Sequence, residues 1–296
     1  MGLKASLSDK SGIFQVWILL LIVLGGIIIS SITTVILSLF IPGISMENPG
    51  YVRFIQTISV LFTFLIPTLV LAWLCSDSPS DYLSLRRRPS AKVFLLVLFG
   101  LLLLSPTINI TSVLNKQLVL PPFLESLELW MQQKEKEMED LVNLLINEAG
   151  IIALISNLFV IAFLAALTEE FFFRGAIQRI IEKWTNNHHV VIWSAAILFS
   201  AIHIQFYGFI PRMILGAYFG YLLYWSKSIW VPVFAHFLNN AVAVFASRSA
   251  DLNEHEFISG DIKSEHLIGY SILAAVTLTL FYYLNKKLKA EARQVL

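Results

Sequence analysis

The sequence predicts an all-α polytopic membrane protein: a bundle of about eight transmembrane helices with an amphipathic interfacial helix. Three observations predict it. Hydrophobic residues make up 57% of the chain and charged residues 14%, against roughly 45–50% and about 25% in soluble globular proteins. Seven stretches reach the ~20 apolar residues that a bilayer core needs, and an eighth comes close. Arginine and lysine are divided unevenly among the loops between them. A net charge of +1 leaves no basic face for nucleic acid. The single cysteine, Cys75, excludes a disulfide framework and a thiolate metal cage.

Runs free of Asp, Glu, Lys and Arg cover residues 11–46, 54–76, 93–115, 149–168, 184–211, 228–247 and 266–285. A shorter run between Arg212 and Lys227 becomes a span over 208–226 if those two side chains snorkel. Lys4 and Lys10 precede a first run too long for a signal peptide, so it is expected to stay as an anchor. Eight spans place both ends of the chain on one side, and 14 of the 21 arginines and lysines fall there. The positive-inside rule then puts both termini in the cytoplasm.

The expected organisation is three helices over 1–110, an extracytoplasmic loop over 111–148, and a core of four helices over 149–247. An acidic loop, a last helix and a basic tail follow over 248–296. Within the first long loop, Pro121 and Pro122 make a break. Leu124, Leu127, Met131, Met138 and Val142 then recur at helical spacing, which predicts an amphipathic helix at the interface or over the bundle.

Ionisable side chains inside a span cost about 2.5–3.5 kcal/mol each on insertion scales, so each needs a reason. One cluster stands out: Glu169, Glu170 and Arg174 in LTEEFFFRGA, His203 in FSAIH, and His236 with Asn240 in HFLNN. Glu169 lies 17 residues before Asn186, and His203 lies 17 after it. A hairpin turning at Asn186–Asn187 therefore sets the two at nearly one depth, about 25 Å from the turn at 1.5 Å per residue. This requires the helix of Glu169 to run on past Thr168 toward Trp184. His236 and Asn240 share a helix face.

Glu170 and Arg174 have i, i+4 spacing, which suits an ion pair and leaves Glu169 free for chemistry; the reverse assignment of the two carboxylates stays open. A poorly hydrated carboxylate beside Phe171, Phe172 and Phe173 is in the setting of a general base. His203 is placed to share a water with it, and His236 with Asn240 to donate to a developing oxyanion. No HExxH helix is present, so the sequence requires no cofactor. Zinc, if used, would take Glu169, His203 and His236.

These motifs resemble those of the CPBP intramembrane endopeptidases, which include type II CAAX prenyl proteases and Abi-type bacteriocin-processing or immunity proteins. The family pattern is EExxxR, FxxxH and HxxxN, here Glu169–Arg174, Phe199–His203 and His236–Asn240. The resemblance implies that Glu169, assisted by His203, activates a water. It places the oxyanion site at His236 and Asn240, with Glu170 and Arg174 supporting the first helix.

The expected function is hydrolysis of a peptide bond in a membrane-associated protein or peptide, including a prenylated CAAX-type substrate. The polar cavity this needs is expected to open to the cytoplasm or laterally to lipid. The alternative is a non-catalytic membrane scaffold of the same family, acting in bacteriocin immunity or partner regulation. A transporter or haem protein using His203 and His236 leaves the Glu–Glu–Arg group unexplained. Gly216 and Gly220 form a GxxxG expected to serve helix packing.

Overall fold

Apolar runs with no strand-like alternation fold as helices, because in lipid a helix satisfies its backbone groups within one segment. The computed structural model describes residues 3–40, 45–249, 252 and 254–294, and it contains no strand among them. Residues 41–44 of the expected first span and 250, 251 and 253 of the expected acidic loop lie outside the described residues, as do 1–2 and 295–296. The main helices are α1 (Gly12–Phe40), α2 (Pro49–Cys75), α3 (Ala91–Lys116), α4 (Glu125–Ile146) and α5 (Ile151–Ile181). Then come α6 (His188–Ala201), α7 (Phe209–Ser226), α8 (Trp230–Arg248) and α9 (Leu267–Gln294). Six of these, α1, α2, α3, α5, α8 and α9, are long and apolar enough to cross a membrane. The chain is an integral multi-pass membrane protein.

Helices α6 and α7 occupy the other two expected spans. The run expected as one span over 184–211 is broken: α6 stops at Ala201 after 14 residues, about 21 Å of helix. The chain turns through His203 and Ile204, whose φ is 54°, before α7 begins at Phe209. Proline explains the break. A continuous helix would put Pro211 in its interior, whereas the break puts it in the first turn of α7, where a missing N–H costs nothing. Asn115 of α3 secures the break by accepting from the Ile210 N–H at 2.7 Å and donating to the Phe206 carbonyl at 2.9 Å.

Helix α2 widens to π-helix over Leu61–Leu65. Pro67 follows at once, and its ring cannot fit a regular turn against the carbonyl four residues back. Helix α1 packs on this segment so closely that a Cβ added at Gly26 would lie 1.9 Å from the Phe62 carbonyl oxygen. Helix α9 runs along α3, α6 along α7, and α8 along α5. Among the six spans, α5 and α8 have the largest buried share, 39% and 44% of their apolar windows, against 22% for α1 and none for α9. The polar cluster is therefore carried on inner helices.

The two ends of the bundle differ. At one, Lys183 Nζ donates to the carbonyls of Ser8 and Lys10 at 2.9 Å. There Arg179 reaches Ser84 Oγ at 2.9 Å, and Ser228 Oγ reaches the Arg87 carbonyl at 2.9 Å. The basic loops thus converge on one end. The amphipathic helix α4 lies across the other end. Its last residues, Leu145 and Ile146, are buried. Arg53 pins them by bonding the Leu145 carbonyl at 3.4 Å, Asn157 Oδ1 at 2.7 Å, and Glu148.

Candidate active site

Glu169 and Glu170 end a short α-helical stretch of α5 between two π-helical stretches, Leu158–Leu164 and Phe171–Ile177. Such widened turns occur disproportionately at functional sites, because they re-aim side chains within an otherwise continuous helix. Helix α5 runs on to Ile181, as the hairpin geometry requires. The neighbouring carboxylates point to different partners.

Glu170 is fully buried and committed. Its Oε1 accepts from Arg174 Nη1 at 3.0 Å and from His236 Nδ1 at 2.8 Å. Arg174 Nε also lies 3.0 Å from Oε2, out of line for a hydrogen bond. Arg174 Nη2 donates to the Gly216 carbonyl of α7 at 2.6 Å. Its guanidinium carbon lies 5.0 Å from the centroid of the Phe199 ring and 5.6 Å from that of Phe219. A buried ion pair that also bonds His236 and the Gly216 carbonyl holds three helices together, and removing either partner strands the other. The Gly216 carbonyl is within reach because α7 approaches α6 closely. A Cβ at Gly216 would lie 2.9 Å from Phe199 Cδ1, and one at Gly220 2.8 Å from Ile192 Cγ2.

Glu169 faces a cavity of about 590 Å³, also lined by His203, His236, Asn240, Gln205 and Arg212. Its Oε2 has no hydrogen-bond partner and stands 3.8 Å from His203 Nε2 and 3.9 Å from His236 Nε2. The other nitrogen of each ring is engaged. His203 Nδ1 lies 2.7 Å from the Phe199 carbonyl, which can only accept, so that nitrogen carries the hydrogen. His236 Nδ1 faces the ion-paired Glu170 and carries its hydrogen likewise. In the neutral rings both Nε2 atoms are therefore lone pairs aimed toward Glu169 Oε2. Three acceptors converge there, and a single water's two O–H groups can serve two of them.

Among the described residues no group of three His, Cys, Asp or Glu side chains is gathered so as to hold a metal ion. The set named from the sequence for zinc, Glu169, His203 and His236, is not gathered in that way as the side chains stand. Asn240 lies one turn along α8 from His236, its Nδ2 donating to the Ile161 carbonyl at 3.2 Å and its Oδ1 accepting from Asn239 at 3.3 Å. One N–H of its amide is left for a ligand.

The structure thus brings Glu169, His203, His236 and Asn240 to one cavity and sets Glu170 and Arg174 behind it. His236, expected as an oxyanion donor, is bonded to Glu170 through Nδ1. The cavity was expected to open to the cytoplasm or laterally to lipid. Its exposed lining residues, Val142, Ala243 and Ser247, lie on α4 and the last two turns of α8, away from the basic loops. The sequence reading missed Arg212, Gln205 and Asn239 as cavity residues. Arg212 could have been found, because it is an ionisable residue within an apolar stretch that snorkelling alone need not explain.

Residues 151–242 match a family described as type II CAAX prenyl endopeptidase Rce1-like. The chain is also 28% identical over 92 residues to the "Uncharacterized protein YpbD" of Bacillus subtilis (strain 168). That match covers 30% of this chain and 44% of the relative, so the chain spans less than half the length of the protein it matches. No solved structure matches the chain. The resemblance to the CPBP intramembrane endopeptidases carried by the three motifs is thus shown over residues 151–242, the stretch that holds every residue of the expected site.

Proposed function

We propose that the protein is an intramembrane endopeptidase that hydrolyses a peptide bond of a membrane-associated substrate, with Glu169 as the base. One observation carries the reading: Glu169 Oε2 stands unbonded in a cavity wall, faced at 3.8 and 3.9 Å by the Nε2 atoms of two histidines held through Nδ1. These separations are too long for direct hydrogen bonds and suit a bridging water. Such a water donates to Glu169 Oε2 and His203 Nε2, keeping a lone pair for the scissile carbonyl. As its oxygen attacks, Glu169 takes a proton and later delivers it to the leaving nitrogen as the C–N bond breaks. The oxyanion is met by the remaining N–H of Asn240, one turn along α8 from His236. Glu170 and Arg174 hold His236 in place.

Both termini are assigned to the cytoplasm, because the basic loops gather at one end of the bundle. The cavity then opens on the extracytoplasmic side. The test is cleavage of prenylated and unprenylated fluorogenic peptides by purified protein in detergent, with and without a chelator. Cleavage that survives chelation and is lost in Glu169→Ala supports the mechanism. Cleavage undiminished in that variant rejects Glu169 as the base, and cleavage abolished by the chelator rejects the metal-free route.

A further inference from the structure

Arg212 has no role in the chemistry just described, yet it is the one arginine or lysine in the cavity wall among the described residues. It sits in the first turn of α7, and its guanidinium is held in place: Nη2 donates to Gln205 Oε1 at 2.7 Å and Nη1 to the Gln205 carbonyl at 3.3 Å. Both partners are neutral. Glu135 of α4 and Glu169 are the acids in electrostatic reach, and neither forms an ion pair with it. Two of its five N–H groups are bonded, leaving three. With neutral groups as its only hydrogen-bond partners and both acids beyond ion-pair distance, the guanidinium keeps those three N–H groups for an anionic ligand.

We infer that Arg212, positioned by Gln205, is a substrate-carboxylate site in the same cavity as Glu169. This assignment rests on the protease reading for the identity of the ligand as a peptide. A guanidinium fork matches a carboxylate in two parallel hydrogen bonds, and in a poorly hydrated cavity that pairing is strong. Bound there, the carboxylate fixes which peptide bond lies over Glu169. Two peptide groups share this chemistry, the free chain end and an Asp or Glu side chain. A chain-end anchor would make the enzyme release a short C-terminal fragment.

The experiment uses one library of apolar hexapeptides in three forms: free C-terminal acid, C-terminal amide, and amide with a single internal Glu. Cleavage is read by mass spectrometry on the full-length protein in detergent. Occupancy is read separately, by affinity selection on immobilised Glu169→Gln protein. The expected result is that one of the carboxylate forms is selected over the plain amide at least about tenfold. Which form it is names the source of the carboxylate.

Arg212→Gln should bring that ratio close to one. So should Gln205→Glu, which keeps the contact with Arg212 and occupies the guanidinium with a carboxylate of the protein. The second variant guards against a loop that fails to fold without Arg212. Equal selection of all three forms, or a ratio unmoved by both variants, overturns the assignment. Cleavage without carboxylate preference removes the Arg212 site and leaves the protease standing. Carboxylate-selective binding without cleavage of any form does the reverse.

Discussion

Glu170 and His236, 66 residues apart on α5 and α8, are joined by a 2.8 Å hydrogen bond between Oε1 and Nδ1. The same oxygen accepts from Arg174 at 3.0 Å. This shared atom separates the duties of two adjacent carboxylates. Glu170 holds the site together, and Glu169 is left facing the cavity.

The first prediction follows from that division. Glu169→Gln keeps the shape and removes the base, so cleavage should fall by about 10²–10⁴-fold with the melting temperature nearly unchanged. Glu170→Gln strands the buried Arg174, and breaking such a pair costs about 3–5 kcal/mol. Thermal unfolding in detergent, run beside the cleavage assay, reads both. A stable, inactive Glu170→Gln beside an unstable, active Glu169→Gln would reverse the assignment.

The bond to Glu170 also fixes which nitrogen His236 presents to Glu169. Glu170→Gln and His236→Phe should therefore be strongly non-additive in rate, because either change alone removes the oriented Nε2. The double variant is expected to be little slower than the worse single one. Multiplying losses would mean that the two residues act independently, and the orienting role would be abandoned.

Packing of α1 on α2 gives a prediction that does not touch the site. Gly25 and Gly26 are neighbours, yet a Cβ at Gly25 meets nothing within 4 Å, whereas one at Gly26 lies 1.9 Å from the Phe62 carbonyl oxygen. Backbone cannot swing aside as a side chain can. Gly26→Ala should destabilise by about 1–3 kcal/mol or more. Gly25→Ala should be neutral or slightly stabilising, since alanine is the better helix former. Equal melting temperatures for the two variants would show that α1 does not approach α2 in this way.

Local spacing made part of this legible. Glu170 and Arg174 are four positions apart, and that distance along a helix is enough to anticipate their contact. Apolar run length located the helices, and the alternation of apolar and charged residues after Pro122 located α4. Contacts between distant segments left no such trace. Nothing in HFLNN says that His236 bonds a carboxylate on another helix rather than a substrate. The break at His203 is hidden because Ile202, Ile204 and Phe206 keep the run apolar on both sides. Only Gly208 and Pro211 mark it, and both are compatible with a kinked continuous helix. The π-helical turns around Glu169 depend on how α5 packs, which a single sequence does not display. Arg212 reads as a snorkelling flank; its place within an apolar stretch is the one-dimensional signal for a cavity residue, but only its partners decide between the two.

The direction in which the cavity opens yields the last prediction. Val142 and Ser247 are exposed in its wall, at the end away from the loops of Arg87 and Lys183. Under the positive-inside assignment they face the extracytoplasmic side, and a substrate reaches Glu169 from there. Cys75 is buried and free, so a Cys75→Ala background permits single-cysteine labelling. In intact spheroplasts, Val142→Cys and Ser247→Cys should react with a membrane-impermeant maleimide. Arg87→Cys and Lys183→Cys should react only after permeabilisation. The opposite pattern would invert the bundle and open the cavity to the cytoplasm. Substrates presented from the cytosolic leaflet, prenylated chain ends among them, would then have direct access. Labelling as expected instead requires the scissile segment to be drawn from the extracytoplasmic side. It would pass beneath α4 before meeting Arg212 and Glu169, so a tethered substrate should be cut only when its cleavable segment is placed on that side.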